Sequence, residues 1–212
     1  MEDARAPAYR IETARLVVRC WNPVDGALLK EAIDSSLDHL RPWLPWASAE
    51  PQSVAEKVEL LRGFRASFDR SEDFVYGIFD PDESRVLGGT GLHPRVGARA
   101  REIGYWIRAD AEGHGYVTEA VAALTRVAFE VMALERLEIH CEPGNERSAA
   151  VPRRLGYEYE GTLRGRVADA KGRLRDIMLF SLFADAYPAS PAAAARVRAF
   201  GAAGDLLLAA GG

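Results

Sequence analysis

The sequence predicts one α/β domain with a mixed, mostly antiparallel central sheet, one parallel strand–helix–strand crossover, and helices on both faces. Runs of alternating apolar and polar residues recur along the chain, and segments with apolar residues at helical spacing separate them. With 212 residues, 48% of them hydrophobic, the chain is long enough to bury one core without disulfides or metal.

The N-terminal third is predicted to contain a strand and two helices. Apolar and polar residues alternate over residues 15–21, as is typical of a strand. Asp25 is suited to cap a helix that runs to about residue 37. The prolines within residues 41–46 favour a loop. A second helix then begins after Ser53, where the sequence has the capping-box pattern.

The middle of the chain contains a hairpin and the crossover. Residues 74–79 and 86–92 are predicted strands, and the Asp- and Pro-containing turn between them favours antiparallel pairing. A strand over residues 102–108 leads through a glycine-containing segment into a long apolar helix, and residues 137–142 form the next strand. The two strands that flank this helix are therefore expected to be parallel neighbours.

The C-terminal part of the domain is predicted to be a short helix and a hairpin. The helix covers residues 148–155 and ends at Gly156, a typical C-cap. Residues 157–164 and 173–182 then pair as two strands. These elements give a fold with a single sheet and no repeat.

The predicted domain covers residues 10–187, and residues 188–212 form an Ala- and Gly-rich tail that is either loose or helical over residues 192–200. The net charge of −4 argues against a nucleic-acid-binding or anionic-membrane-binding protein. Cys20 and Cys141 lack metal-ligand spacing, so we expect buried thiols and no metal site. We detect no signal peptide or membrane span, so the cytoplasm is the expected location.

Residues 113–118, Gly-His-Gly-Tyr-Val-Thr, join a predicted strand to a predicted helix. Glycines allow the backbone to approach a phosphate closely, and the free amides and dipole of the first helical turn favour an anion. The segment therefore predicts a phosphate site, although an ordinary helix start also accounts for a lone Gly-x-Gly.

Residues 102–107 followed by 113–120 resemble the core motif of the GNAT-type N-acetyltransferases, and more narrowly their RimJ/RimL branch, the ribosomal-protein N-terminal acetyltransferases and their relatives. Three further segments match that branch in the same order. They are residues 40–46, residues 145–148 leading to 155–157, and residues 176–182. The resemblance covers about residues 10–187 and implies a GNAT-like domain.

The resemblance implies acetyl-CoA as cofactor and a primary amine as acceptor, either a protein N-terminus or a small molecule. Backbone amides along one loop would hold the pyrophosphate, and these belong to Gly113, His114, Gly115, Val117 and Thr118. The backbone of Trp106 and Ile107 would pair with the pantetheine arm, with Asn145 on its far side and Ser148 beside the sulfur. Glu112 departs from the Gln/Arg of the family pattern, and an acid beside a pyrophosphate is unfavourable.

Direct attack of an amine on a thioester requires a neutral amine, an oxyanion donor and stabilisation of the leaving thiolate. A backbone amide near Ile107 is the expected oxyanion donor, and Ser148 the expected donor to the thiolate. No base is evident; Glu102 is the best carboxylate candidate, although an exposed charge at a strand start is at least as compatible with the sequence. His93 and His140 are interpreted as ordinary polar residues.

Trp43, Trp46 and Tyr105 are candidates for the acceptor pocket, with core packing as the alternative. Two other functions stay open: transfer of a larger acyl group such as succinyl, and acyl-CoA binding without catalysis. A non-enzymatic RNA-associated role is disfavoured by the acidic charge. Self-association is common in the branch, so a homodimer is compatible with the sequence.

Overall fold

The computed structural model describes residues 6–169 and 171–209, which form one mixed sheet flanked by helices. The strands are β1 (Arg10–Glu12), β2 (Val17–Cys20), β3 (Phe74–Phe79), β4 (Val86–His93), β5 (Ala100–Ile107), β6 (Arg136–Cys141), β7 (Glu158–Ala168), β8 (Leu174–Phe183), β9 (Arg198–Phe200) and β10 (Leu206–Leu208). The helices are α1 (Gly26–Asp34), α2 (Leu37–Leu40), α3 (Val54–Asp69), α4 (Tyr116–Glu130) and α5 (Glu146–Leu155). Within the described ranges, no helix is both long enough and apolar enough to cross a membrane.

The strand order is β10-β9-β1-β2-β3-β4-β5-β6-β8-β7. All neighbours are antiparallel except β5 and β6, which are parallel and are joined through α4. This arrangement confirms the predicted fold class, including its single parallel crossover. The seven predicted strands correspond to β2 through β8.

Helices cover both faces of the sheet, as predicted. Helices α4 and α5 pack on one face, where Leu124 and Phe180 are fully buried. Helices α1 and α3 pack on the other, around Leu61 and Phe79. Because side chains alternate along a strand, consecutive residues of β3 and β2 contribute to different faces.

The capping box of α3 is present, because the Ser53 hydroxyl accepts from the Glu56 amide and the Glu56 carboxylate accepts from the Ser53 amide. The role predicted for Asp25 is wrong. Its carboxylate makes no cap bond to α1 and instead accepts from Arg19 and from the Asn22 amide. The expected helix ends at Asp34 rather than at about residue 37, and the short helix α2 follows after a break at residues 35–36.

Residues 188–209 form neither a helix over residues 192–200 nor a loose tail, the two alternatives that the composition left open. After short 3₁₀ turns at Tyr187–Ala189 and Pro191–Ala194, the chain forms β9, which pairs with β1. Val197 and Ala199 are buried while Arg198 is exposed, so the period here is two, as in a strand. Alanine content favoured a helix, but edge pairing with β1 determines the structure.

Candidate active site

A cleft of about 970 Å³ opens where β5 and β6 diverge. The two strands pair only over Ala100–Glu102 and Arg136–Glu138, so the C-terminal half of β5 has no partner on that side. The walls come from α2 and the following loop on one face of the sheet, and from the start of α4 and α5 on the other. The cleft therefore gives access to the gap between the strands from both faces.

The glycine segment before α4 forms one wall. Gly113 and Gly115 have φ angles of 80° and 79°, in the left-handed region that glycine adopts without strain. Gly115 is the N-cap of α4. Within the described residues, no amide from Gly113 to Thr118 donates to a protein acceptor, so these N–H groups and the helix dipole are available to an anion.

Most of the residues predicted for the site meet in this cleft. They are Trp43, Tyr105, Trp106, Ile107, Gly113, Gly115, Val117, Thr118, Asn145 and Ser148. His114 belongs to the same loop, but its ring stacks on Tyr116 and its carbonyl accepts from Arg15 Nη1 at 3.0 Å. The backbone amide of His114, which is the group predicted to bind the pyrophosphate, is one of the free donors described above.

Ser148 and Tyr105, which also line the cleft, are hydrogen-bonded to each other. Ser148 Oγ donates to Tyr105 Oη at 3.1 Å, and Tyr105 Oη donates to the Ser148 carbonyl at 2.8 Å. Burial raises the pKa of Tyr105 well above that of a free phenol, so its hydroxyl stays protonated. Tyr105 was predicted as a pocket aromatic, and its contact with Ser148 gives it a second role, that of fixing the serine.

The thiol of Cys141 is buried, as predicted, but its contact with Ser148 was not anticipated from the sequence. Cys141, the last residue of β6, is buried, and burial raises its pKa to about 11 although a Ser148 hydrogen bond opposes the shift. A thiol with such a pKa is protonated near neutral pH and is a poor nucleophile. We therefore assign it a packing role beside Ser148.

Asn145 caps α5, because its side-chain oxygen accepts from the Ser148 amide at 3.1 Å. The capping alternative for Asn145 is thus present in the structure. The cap uses only the side-chain carbonyl oxygen of Asn145, so the side-chain NH₂ still has two N–H donors. Asn145 is able to serve as a helix cap and as a hydrogen-bond donor to a ligand in the cleft at the same time.

The loop after α2 contributes Trp43 to the cleft but not Trp46. Trp46 packs edge-on against Trp106 with 6.1 Å between ring centroids, and it is half-exposed at the cleft margin. The loop is attached to β8 through Arg175, whose Nη1 donates to the Pro42 carbonyl at 2.9 Å. Of the two tryptophans predicted for the acceptor pocket, Trp43 therefore lines the cleft, whereas Trp46 packs against Trp106.

Glu102 does not lie in the cleft with Ser148. It belongs to the half of β5 that pairs with β6, and strand alternation places its side chain on the opposite face from Tyr105. Its carboxylate lies 3.6 Å from Arg95 Nη1 and 3.7 Å from His140 Nδ1. His140 Nε2 is in turn 2.8 Å from Glu138 Oε2, so these residues form a polar cluster behind the diverging strands.

The cleft mouth carries an ion pair that sequence reasoning did not anticipate. Glu112, just before the glycine segment, accepts a hydrogen bond from Arg147 of α5, with 2.5 Å between Oε1 and Nη1. Glu112 Oε2 is 3.9 Å from Nδ1 of His39 on α2. Three separate elements thus approach one another at the carboxylate of Glu112.

Comparison with known proteins identifies similar chains. The family model of the acetyltransferase (GNAT) domain matches residues 15–158. YdaF of Bacillus subtilis, assigned as a ribosomal N-acetyltransferase, is 30% identical over 169 residues, which cover 79% of this chain and 90% of that protein. The [ribosomal protein uS5]-alanine N-acetyltransferase of Escherichia coli is 28% identical over 184 residues, covering 84% and 93%.

The fold also matches solved structures. Mycobacterium smegmatis RimJ, solved in complex with CoA-disulfide, superimposes with a TM-score of 0.75 at 26% sequence identity. The match covers 90% of this chain and 92% of that one.

Proposed function

Because this chain belongs to the GNAT acetyltransferase family, we propose that it transfers the acetyl group of acetyl-CoA directly to a primary amine, with a protein N-terminal α-amine as the first acceptor to test. The observation that carries the proposal is the row of free amides from Gly113 to Thr118 in a cleft that Ser148 also lines. The cleft thus offers donors both to a phosphate group and to a sulfur of one ligand.

The residues of the cleft fit the cofactor. The free amides before α4 offer several donors to a pyrophosphate. The unpaired side of β5 at Trp106 and Ile107 offers backbone groups to the amides of the pantetheine arm, and Asn145 offers its NH₂ from the N-cap of α5. The cofactor supplies an activated acetyl thioester, while the protein supplies its position and the hydrogen bonds around the reacting carbonyl.

Ser148 is proposed as the donor to the departing thiolate. Its hydroxyl proton points to Tyr105 in the free protein, and rotation about its side-chain bond would redirect that proton to a sulfur in the cleft. Tyr105 holds the backbone of Ser148 through the carbonyl, so the serine is fixed whichever way its proton points. Because an alcohol is too weak an acid to ionise near neutral pH, Ser148 acts by hydrogen bonding.

The amine must lose a proton before or during its attack on the thioester. Glu102 stays our candidate, acting behind the strands with His140, which lies 3.7 Å away. An α-amine has a pKa of about 7.7–8.0 and a lysine side chain about 10.4, so an α-amine needs much less help from a base near neutral pH. The two carboxylates that line the cleft, Glu112 and Glu146, are each paired with an arginine, which leaves no unpaired carboxylate among the described lining residues and favours α-amine acceptors.

Two observations bear on the class of acceptor. The E. coli relative is named for the alanine of a ribosomal protein, and YdaF is also assigned to ribosomal substrates. The exposed loop around Trp43 lies beside the cleft and leaves it accessible to a chain terminus. These features favour a protein N-terminus, with a small amine as the second candidate.

The proposal is tested by measuring thiol release from acetyl-CoA in the presence of a peptide with a free N-terminal alanine. A copy of the peptide acetylated at its N-terminus but carrying a lysine is the matched control, and mass spectrometry locates the added group. We expect transfer to the free α-amine. Tight binding of CoA without thiol release for any peptide, polyamine or amino acid would indicate a binding module. Faster release from succinyl-CoA than from acetyl-CoA would contradict the choice of donor.

A further inference from the structure

The ion pair at the cleft mouth lies where it affects any ligand that reaches the glycine segment. Glu112 precedes that segment directly, and Arg147 is the second residue of α5. The two side chains meet across the cleft, and both residues line it. The carboxylate of Glu112 therefore directly precedes the free amides, while that of Glu119, which directly follows them, is paired with Arg15.

A carboxylate in this place disfavours an anion, because like charges repel and a phosphate carries at least one negative charge. Arg147 cancels the charge of Glu112 in the free protein. Its side chain is 79% exposed, so the pair is of the weak, solvent-screened kind and its guanidinium is free to reorient. A guanidinium also binds phosphate through two parallel hydrogen bonds, a geometry that competes well with a single contact to a carboxylate.

We propose that Arg147 is a phosphate ligand of the cofactor and that Glu112 lowers cofactor affinity by competing for it. The inference rests on the proposed function, since it assumes that a CoA ester occupies the cleft. In the free protein Arg147 bridges to Glu112 and links α5 to the loop before α4. In the complex its guanidinium transfers to a phosphate, and Glu112 turns to solvent or to His39, which is already 3.9 Å away.

The two residues have opposite expected effects on CoA binding measured by calorimetry. Glu112→Gln removes the competitor and is expected to tighten binding about two- to fivefold, the range of an exposed ion pair. Arg147→Gln removes the ligand and is expected to weaken binding about three- to tenfold, with Arg147→Lys in between because it keeps the charge without the planar fork. Both effects should shrink at high salt.

Arg153→Gln is the matched control. Arg153 lies on the same helix, pairs with Glu146 at 3.0 Å, and does not line the cleft. Arg153→Gln removes the same positive charge from α5 as Arg147→Gln does. A general change in helix electrostatics would therefore weaken CoA binding equally in the two variants. Equal effects, or unchanged or tighter binding by Arg147→Gln in folded protein, would overturn the proposal.

The identity of the phosphate is determined with shorter ligands. An Arg147 effect that disappears with dephospho-CoA assigns the contact to the 3′-phosphate, and one that persists assigns it to the pyrophosphate. Persistence with pantetheine, which has no phosphate, would contradict a phosphate contact. Unaltered wild-type protein that fails to bind CoA at all would refute the proposed function together with this inference, whereas normal acetyl transfer with no Arg147 effect would refute this inference alone.

Discussion

Placing a carboxylate at Gly115 gives a direct test of the phosphate loop. The residue has a φ of 79°, and a side-chain carbon added there would meet only Arg15 Nη2, at 3.6 Å. Gly115→Ala therefore fits the space and costs only backbone strain, about 1–2 kcal/mol of stability. Its amide stays available, so CoA affinity should change by less than about twofold, well below the effect of a charge.

Gly115→Glu adds the same strain and also a negative charge beside the bound pyrophosphate. Two unit charges about 5 Å apart repel by about 0.8 kcal/mol in water and by about 3 kcal/mol at an effective dielectric constant of about 20. For a pyrophosphate with two charges the penalty is about 2–7 kcal/mol, so CoA should bind at least about 20-fold more weakly. The comparison of Glu with Ala isolates this electrostatic part.

Isothermal titration calorimetry with CoA at low and high salt provides the measurement, and circular dichroism confirms that each variant is folded. The loss of affinity in Gly115→Glu should lessen at high salt, because exposed charges are screened within about 10 Å at 0.1 M ionic strength. If a folded Gly115→Glu protein bound CoA with wild-type affinity, the pyrophosphate would not bind at this loop. A loss of affinity in Gly115→Ala equal to that in Gly115→Glu would mean that backbone conformation, not charge, explains the result.

Three further predictions concern other parts of the molecule. Ser148→Ala should lower kcat about tenfold or more with little change in CoA affinity. An unchanged kcat would show that Ser148 does not take part in the reaction. Lys57→Met leaves the buried carboxylate of Glu50 without its partner and should destabilise the protein by about 3–5 kcal/mol in urea unfolding, whereas a cost below about 1 kcal/mol would show that the pair is dispensable. Arg108 lowers the pKa of Glu31 mainly through their hydrogen bonds, so the stability from this pair is present above the ordinary carboxylate pKa and is lost as pH falls through the lowered value. In Arg108→Gln the free energy of unfolding should therefore decrease less steeply as the pH falls into the acid range. The same pH dependence of the free energy of unfolding as in the wild type would contradict this linkage.

Local patterns in the sequence were sufficient to predict strands β2 to β8, the crossover and the glycine segment. The capping box at Ser53 and the C-cap at Gly156 depend on a few neighbouring residues, and both are present. The glycine segment was predictable for the same reason, since its glycines and the start of α4 are adjacent in the chain. Elements that depend on partners distant in sequence were not predictable in this way.

Strand β9 shows the limit most clearly. Three residues give too short a pattern to outweigh the helical preference of the alanines before them, and the strand exists because β1 offers an edge to pair with. The contacts of Glu112 with Arg147 and of Tyr105 with Ser148 join residues 35 and 43 positions apart. Their partners become apparent only when α5 is brought against the start of α4 and against β5.

The position of Glu102 follows from the feature that creates the cleft. Strands β5 and β6 must pair somewhere to remain in one sheet, and they pair at Ala100–Glu102, so the gap forms only beyond that point. A side chain at the paired end cannot reach Ser148 directly, whereas Tyr105, three residues later and on the other face, does so. A cofactor lying in the gap would present its thioester between the two faces, where an amine arriving from the side of Trp43 meets it. Glu102 and His140 lie together outside the cleft, so a proton from the amine would have to reach Glu102 through water, a transfer that an α-amine needs less than a lysine does.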